Sequence, residues 1–207
     1  GDYRRILTLY RDMGVNCLRV WGGGILEKTV FYDLCDELGL MVWQEFPLSS
    51  STFENWPPED PKAISEITAL AESWVERRRH HACLLLWCGG NELSRIDDSS
   101  GTRKRYVPDL SHPLIGALAE VVARLDPGRR FMPTSPYGPE FYDDPAYFDA
   151  WPHWDVHGPW RPDKGLAAWE EFWEADDSLL RSEVGCPGAS PLALVEEYCA
   201  PDAFVQP

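Results

Sequence analysis

The sequence predicts an α/β fold. Three observations carry that expectation: apolar periodicity alternates in regular order between helix and strand patterns, the strands are short and nearly continuously apolar, and most helices stop at Gly or Pro signals. Strands separated by helices pair in parallel through right-handed crossovers. With 44% hydrophobic and 26% charged residues over 207 positions, the chain has enough apolar material for a sizeable core.

Taken in order, Tyr3 to Met13 places Ile6, Leu7 and Tyr10 on one helical face and stops at Gly14, and Val15 to Trp21 (VNCLRVW) follows as a strand. Phe31 to Leu38 repeats the helix and stops at Gly39, and Leu40 to Phe46 (LMVWQEF) reads as a strand buried on both faces. A loop rich in Ser, Pro and Trp runs from Pro47 to Pro61, Lys62 to His80 is a long amphipathic helix, and Cys83 to Cys88 (CLLLWC) is the next buried strand. Ser94 to His112 reads as irregular and polar, and Leu114 to Leu125 as a helix ended by Asp126, Pro127 and Gly128. Phe131 to Ser135, Trp154 to His157 and Leu179 to Glu183 are further strands, with a helix at Leu166 to Glu174 and a Pro-containing tail. A (β/α)₈ barrel typically has eight strands and about 250 residues. Six strands therefore fit either a smaller open sheet or a barrel lacking part of itself. No repeat, low-complexity tract or Gly/Ser linker divides residues 1–207, which read as one domain.

A formal net charge of −15 repels phosphate backbones and anionic headgroups, so no nucleic-acid or membrane partner is expected. The apolar run from Ala82 to Cys88 is far below the roughly 20 residues that cross a bilayer, and no export signal is seen, which points to a cytoplasmic rather than a secreted chain. Cys17, Cys35, Cys83, Cys88, Cys186 and Cys199 contain no CxxC pair and read as reduced core residues. His80 and His81 are adjacent and lack a partner at i+4, so they read as part of a basic helix end, Arg77 to His81, facing the helix dipole. Neither a metal site nor a cofactor is expected.

Chemistry in parallel α/β folds sits at the carboxyl ends of strands. Those ends carry Arg19 and Trp21 with Gly22 to Gly24, then Gln44 and Glu45, Asn91 and Glu92, Ser135 and Tyr137, Asp155, His157 and Trp160, and Ser182 and Glu183. Asn91-Glu92 and Ser182-Glu183 each set a Glu directly after a strand. Paired carboxylates beside aromatic rings are what glycosidic cleavage requires, one to protonate the leaving oxygen and one to attack or activate water. A strand-end Glu can also simply solvate a loop, and His157 can be a structural hydrogen bonder. The glycine run lacks phosphate-loop spacing and reads as a tight turn or close backbone approach. Trp169 and Trp173 read as helix-face packing, whereas Trp21, Trp56, Trp151 and Trp160, in or beside loops, stand open between packing and stacking on a sugar ring.

Four segments in order, LRVWGGGILEKTVFYDLCDELGLMVWQEF (Leu18 to Phe46), LLLWCGGNE (Leu84 to Glu92), DVHGPW (Asp155 to Trp160) and RSEVG (Arg181 to Gly185), resemble the catalytic TIM barrel of glycoside hydrolase family 2, closest to its β-mannosidase branch. The resemblance implies a partial (β/α)₈ barrel, approximately strands 2 to 7, with strands 1 and 8 supplied by the rest of a longer protein. It implies a retaining β-glycosidase acting from the non-reducing end, with Glu92 as general acid/base and Glu183 as nucleophile. By the same likeness Asn91 binds near the sugar 2-hydroxyl, Arg19 braces the nucleophile or substrate, and Trp21, His157 and Trp160 line a carbohydrate pocket. Burial and a neighbouring negative charge are expected to raise the pKa of Glu92. Gly158 stands where the β-mannosidase pattern usually has an aromatic, and the Pro47 to Pro61 loop also departs from it. β-Galactosidase, β-glucuronidase or exo-β-glucosaminidase specificity therefore stays open. So does an inactive or purely carbohydrate-binding fragment.

Overall fold

A computed structural model describes residues 2–49, 55–99, 101, 104–161, 164–185 and 190–198. Every expected strand forms: β1 (Cys17–Val20), β2 (Met41–Glu45), β3 (Leu84–Cys88), β6 (Arg130–Met132), β7 (Asp155–His157) and β8 (Leu180–Glu183). So do the helices α1 (Asp2–Asp12), α2 (Thr29–Leu38), α3 (Pro61–Arg78), α4 (Pro113–Leu125) and α5 (Leu166–Ala175). Three features were not expected, one of them a 3₁₀ turn at Pro145–Tyr147. The polar stretch after Ser94 folds into an antiparallel hairpin, β4 (Arg95–Asp97) with β5 (Lys104–Tyr106), and the tail contains a short helix, α6 (Leu192–Tyr198). Alternation over three residues is too brief to separate a hairpin from irregular chain in sequence.

Strands β1, β2, β3 and β6 form one parallel sheet in that order, and β7 pairs with β8 in a second parallel sheet. Together they are an unclosed part of a TIM barrel. Alternation, broken once by an irregularity in the β2–β3 register between Val42 and Trp43, sorts the strands between two cores. Val42, Leu84 and Trp87 face the helices and join Phe31, Tyr32, Phe46, Trp74, Val75 and Leu118, while Trp43, Leu86, Cys88 and Met132 fill the inner side. The outer core is anchored by Trp87, fully buried, stacked on Phe46 at 5.3 Å and 9° and donating its indole N–H to Asp126 at 3.0 Å.

Local chemistry sets the helix limits. Asp60 caps α3 by accepting the Ala63 amide at 2.9 Å ahead of Pro61, and Gly39 ends α2 in the left-handed region at φ 71°. α3 ends before the adjacent histidines. His81 does not serve the helix end: it is buried, with Nδ1 2.7 Å from Asp36, because the chain turns inward toward β3. Cys35, Cys83 and Cys88 are buried free thiols and Cys17 is a half-buried one, as expected. Cys186 and Cys199 lie outside the described residues. No helix among the described residues is long and apolar enough to cross a membrane.

Between β6 and the β7–β8 pair lies a cavity of about 440 Å³ lined by Met132, Tyr137, Trp154, Asp155 and Leu180. The two sheets diverge there and meet again at their carboxyl ends.

Replacing Trp87 with Ala removes a stacked ring and one hydrogen bond to the Asp126 carboxylate, which keeps its ion pair with Arg129 at 2.9 Å. Equilibrium unfolding in urea should show a loss of about 3–5 kcal/mol, with the midpoint shifted and the slope kept.

Candidate active site

The carboxyl ends of both sheets converge on one side chain. The guanidinium of Arg19, on β1, donates from Nε to Glu45 at 2.8 Å, from Nη2 to Asn91 Oδ1 at 2.5 Å, and from Nη1 to Glu183 at 2.6 Å. It thereby ties the ends of β1, β2, β3 and β8. Glu45 is almost wholly buried, and its second oxygen accepts the Gly22 amide at 2.7 Å. Burial pushes the Glu45 carboxyl up, against the pull of Arg19. Burial also works against the Arg19 charge, but the two carboxylates outweigh it and hold the guanidinium more firmly protonated. A Cβ at Gly22 would press on Glu45 Oε2 at 3.1 Å and the Phe46 carbonyl at 2.9 Å, so the first glycine of the run serves close backbone approach.

Glu92 lies four residues beyond β3. The chain reaches it through Gly90, where a Cβ would meet the Leu48 carbonyl at 2.5 Å, and Glu92 itself adopts a left-handed φ of 50° while its amide donates to Ser135 O at 2.6 Å. Non-glycine residues held in that region cost free energy and concentrate at functional sites. His157, at the end of β7 and fully buried, sets Nδ1 2.8 Å from Glu92 Oε1 and 3.7 Å from Glu183 Oε2. The donor atoms of Glu92, His157 and Glu183 lie within 4.8 Å of one another. Both carboxylates keep about a quarter of their side-chain surface open to solvent.

The expected upward shift of Glu92 does not occur. Its hydrogen bond with His157 lowers the pKa and outweighs the desolvation penalty, and the charges of His157, Arg105 and Arg19 add to the lowering. Arg105 arrives through the unexpected hairpin and is fixed by Ser94 Oγ at 2.8 Å.

On the far side of the imidazole, Nε2 meets Ser135 Oγ at 3.1 Å and Ser182 Oγ at 3.0 Å, and these hydroxyls bond each other at 2.6 Å. Asp155, buried and pushed up by that burial, accepts the Ser182 hydroxyl and amide, each at 3.0 Å. This network crosses from the end of β6 to β7 and β8, where the two sheets share no ladder.

Among the expected site residues, Arg19, Asn91, Glu92, His157 and Glu183 are therefore brought into one connected cluster. Trp160 stands edge-on to His157, with ring centres 6.3 Å apart, and is 43% exposed. Trp21 is 48% exposed at the end of β1, its ring over Gly23. Trp56 is committed to packing, under Arg95 at 4.5 Å and against His112. Trp151 is exposed in a left-handed turn, and Trp169 packs edge-on to Trp173. Glu45, Asp155, Ser135, Ser182 and Arg105 complete the site. The first four were visible as polar strand-end residues, with no sequence signal of what they touch. A cavity of about 660 Å³ between α5 and Phe148 is lined by neither Glu92 nor Glu183 and stands apart from this chemistry. By donor type, Glu92, His157 and Glu183 would also accept a divalent cation.

The chain is 30% identical over 196 residues to β-mannosidase B of Thermothelomyces thermophilus, covering 87% of this chain and 21% of the relative. It is 31% identical over 221 aligned residues to β-mannosidase B of Emericella nidulans, covering 99% of this chain and 24% of the relative. The crystal structure of β-D-mannosidase from Dictyoglomus thermophilum superposes with a TM-score of 0.71 at 28% identity, over 98% of this chain and 23% of that one. The chain thus spans about a fifth to a quarter of the length of these relatives. Residues 6–131 match the family described as glycosyl hydrolases family 2, TIM barrel domain, so the chain belongs to that family and carries a portion of its barrel.

Proposed function

We propose that this chain carries the catalytic centre of a retaining glycosidase that hydrolyses β-linked glycosides from the non-reducing end, with β-mannosides as the substrate class. The supporting observation is that carboxylate oxygens of Glu92 and Glu183 lie within 4.8 Å of each other, both against Nδ1 of His157. Retaining enzymes hold their carboxyl groups about 5–5.5 Å apart, whereas inverting ones leave about 6.5–9.5 Å for a water. The names of the relatives support mannose as the sugar.

In this reading Glu183 attacks the anomeric carbon while Glu92 gives its proton to the departing oxygen, leaving a glycosyl ester on Glu183. Glu92 then takes a proton from water, which attacks the same carbon and frees Glu183. Arg19 orients the nucleophile through its 2.6 Å contact, and Glu45 on the opposite edge of the guanidinium keeps Arg19 from swinging away. Asn91, locked to Arg19, faces the sugar hydroxyls, with Trp21 and Trp160 as apolar walls. A bound sugar displaces water from Glu92 and supplies the desolvation that the open site lacks, moving this acid toward the protonation its first step needs.

The direct test is turnover of a nitrophenyl β-mannoside, alongside the gluco, galacto and glucurono analogues, by this chain and by a version extended at both ends. Hydrolysis with retained anomeric configuration is expected; inversion, or sugar binding without turnover in the extended protein, would overturn the proposal. Glu183→Ala should lower kcat by about 10³-fold or more with sugar affinity largely kept, and Glu92→Ala by about 10²–10⁴-fold. His157→Asn removes the interaction that lowers Glu92. The carboxyl should rise, and because the acid must be protonated, the basic limb of kcat/KM should move to higher pH, while a shift to lower pH would exclude Glu92 as the acid. Activity should be unchanged by a chelator.

A further inference from the structure

At the opposite end of the sheet, where β3 begins, a second group of ionisable side chains converges without a part in the site above. Asp36, in the last turn of α2, holds Oδ2 2.7 Å from His81 Nδ1 and accepts the Cys83 amide on Oδ1 at 2.6 Å. One donor atom from each of Asp36, His81 and Cys83 lies within 4.8 Å of the others. His81 is 2% and Cys83 7% exposed, whereas the Asp36 carboxylate is 30% open to solvent. The second nitrogen of His81, Nε2, is buried and makes no hydrogen bond, so no structural network holds the imidazole from its far side.

These three side chains invite two readings. A Cys-His-Asp nucleophile needs a thiolate and a cleft. Burial and a hydrogen bond to Asp36 push the Cys83 thiol far up, and the thiol also makes a long contact to the Tyr32 carbonyl at 3.6 Å. That is an inert thiol in a packed wall. The negative carboxylate that keeps it protonated is also what attracts a cation, and a dication would offset both the carboxylate and a thiolate.

We propose that Asp36, His81 and Cys83 form a binding site for a zinc-class divalent ion at the amino-terminal end of β3. A carboxylate, an imidazole and a thiolate are a donor set for borderline-soft ions in tetrahedral coordination, with the fourth position open to water on the exposed Asp36 side. Around one such ion, at metal–ligand lengths of about 2.0–2.3 Å, donors stand roughly 3.3–3.7 Å apart, between the 2.7 Å observed for Asp36 and His81 and the 4.8 Å bound on the group. Loading conserves charge and protons simply. The thiol proton is released to solvent, the imidazole proton moves from Nδ1 to Nε2, and the ion with its two anionic ligands is neutral. The site would clasp the end of α2 to the start of β3, away from the catalytic carboxylates.

The test is titration of the full chain with Co²⁺ alone and, separately, with Zn²⁺, followed by absorption and thermal unfolding. One equivalent of Co²⁺ should give a thiolate-to-metal charge-transfer band in the near ultraviolet with tetrahedral visible bands, Zn²⁺ should displace it, and saturating Zn²⁺ should raise Tm. Cys83→Ser should abolish the band while unfolding near the parent Tm in chelator, and His81→Gln should weaken Co²⁺ binding at least tenfold. Glu92→Gln with Glu183→Gln should leave the band in place, which separates this site from the catalytic cluster. Absence of a stoichiometric band in the parent chain, its persistence in Cys83→Ser, or its loss in the Glu92/Glu183 double variant would overturn the proposal. Should Cys83→Ser not fold, the His81→Gln titration decides alone: unchanged Co²⁺ affinity overturns it.

Discussion

The guanidinium of Arg19 is the constraint on which the site depends. Glu45 and Glu183 both lie against it, and Asn91 takes a third donor, so one cation orders the ends of four strands drawn from two sheets. Two carboxylates at this depth would repel each other and resist desolvation without it, since an unpaired buried charge is far costlier than a paired one. Arg rather than Lys suits the position because a planar fork can serve three acceptors in fixed directions. Gly22 contributes by letting the chain pass close enough to give Glu45 an amide donor.

The second constraint is geometric. The four-stranded sheet and the β7–β8 pair share no backbone ladder, and a cavity separates them at mid-strand. What joins them at the carboxyl end is side-chain chemistry: Ser135, His157, Ser182 and Asp155, each bonded to the next. The same bonds that close the architecture aim His157 Nδ1 at Glu92. A polar network of this kind is stabilising when its members are satisfied and costly otherwise, which makes the join and the placement of Glu92 a single structural unit. It also explains why Glu92 is lowered rather than raised. In a barrel portion open to water, its partner His157 outweighs desolvation.

The opposite end of β3 uses the same residue types to a different end. Asp36 joins the end of α2 to the buried His81 and Cys83 at the start of β3, an arrangement suited to a clasp. In parallel α/β folds the carboxyl ends of strands carry function and the amino ends carry stability, and the two proposals fall on either side of that division.

Helices, strands and their order were legible in the sequence because periodicities of 3.6 and 2 are local, and Gly39, Pro61 and Pro113 mark their limits within a turn. The two Glu residues were legible as well, since a charge at or just beyond the carboxyl end of a strand sits where a parallel fold opens its pocket. The β4–β5 hairpin was not: three-residue strands carry too little pattern, and with them went the approach of Arg105. The partnership of His81 with Asp36, 45 positions away, was equally hidden, so the histidine read as part of a helix end. By itself the sequence determined which residues are helix, strand or strand end, because those follow from neighbours along the chain. The tertiary structure alone decided which charges meet, and so the direction in which Glu92 shifts, because electrostatic free energy depends on distance and burial between residues that the chain keeps far apart.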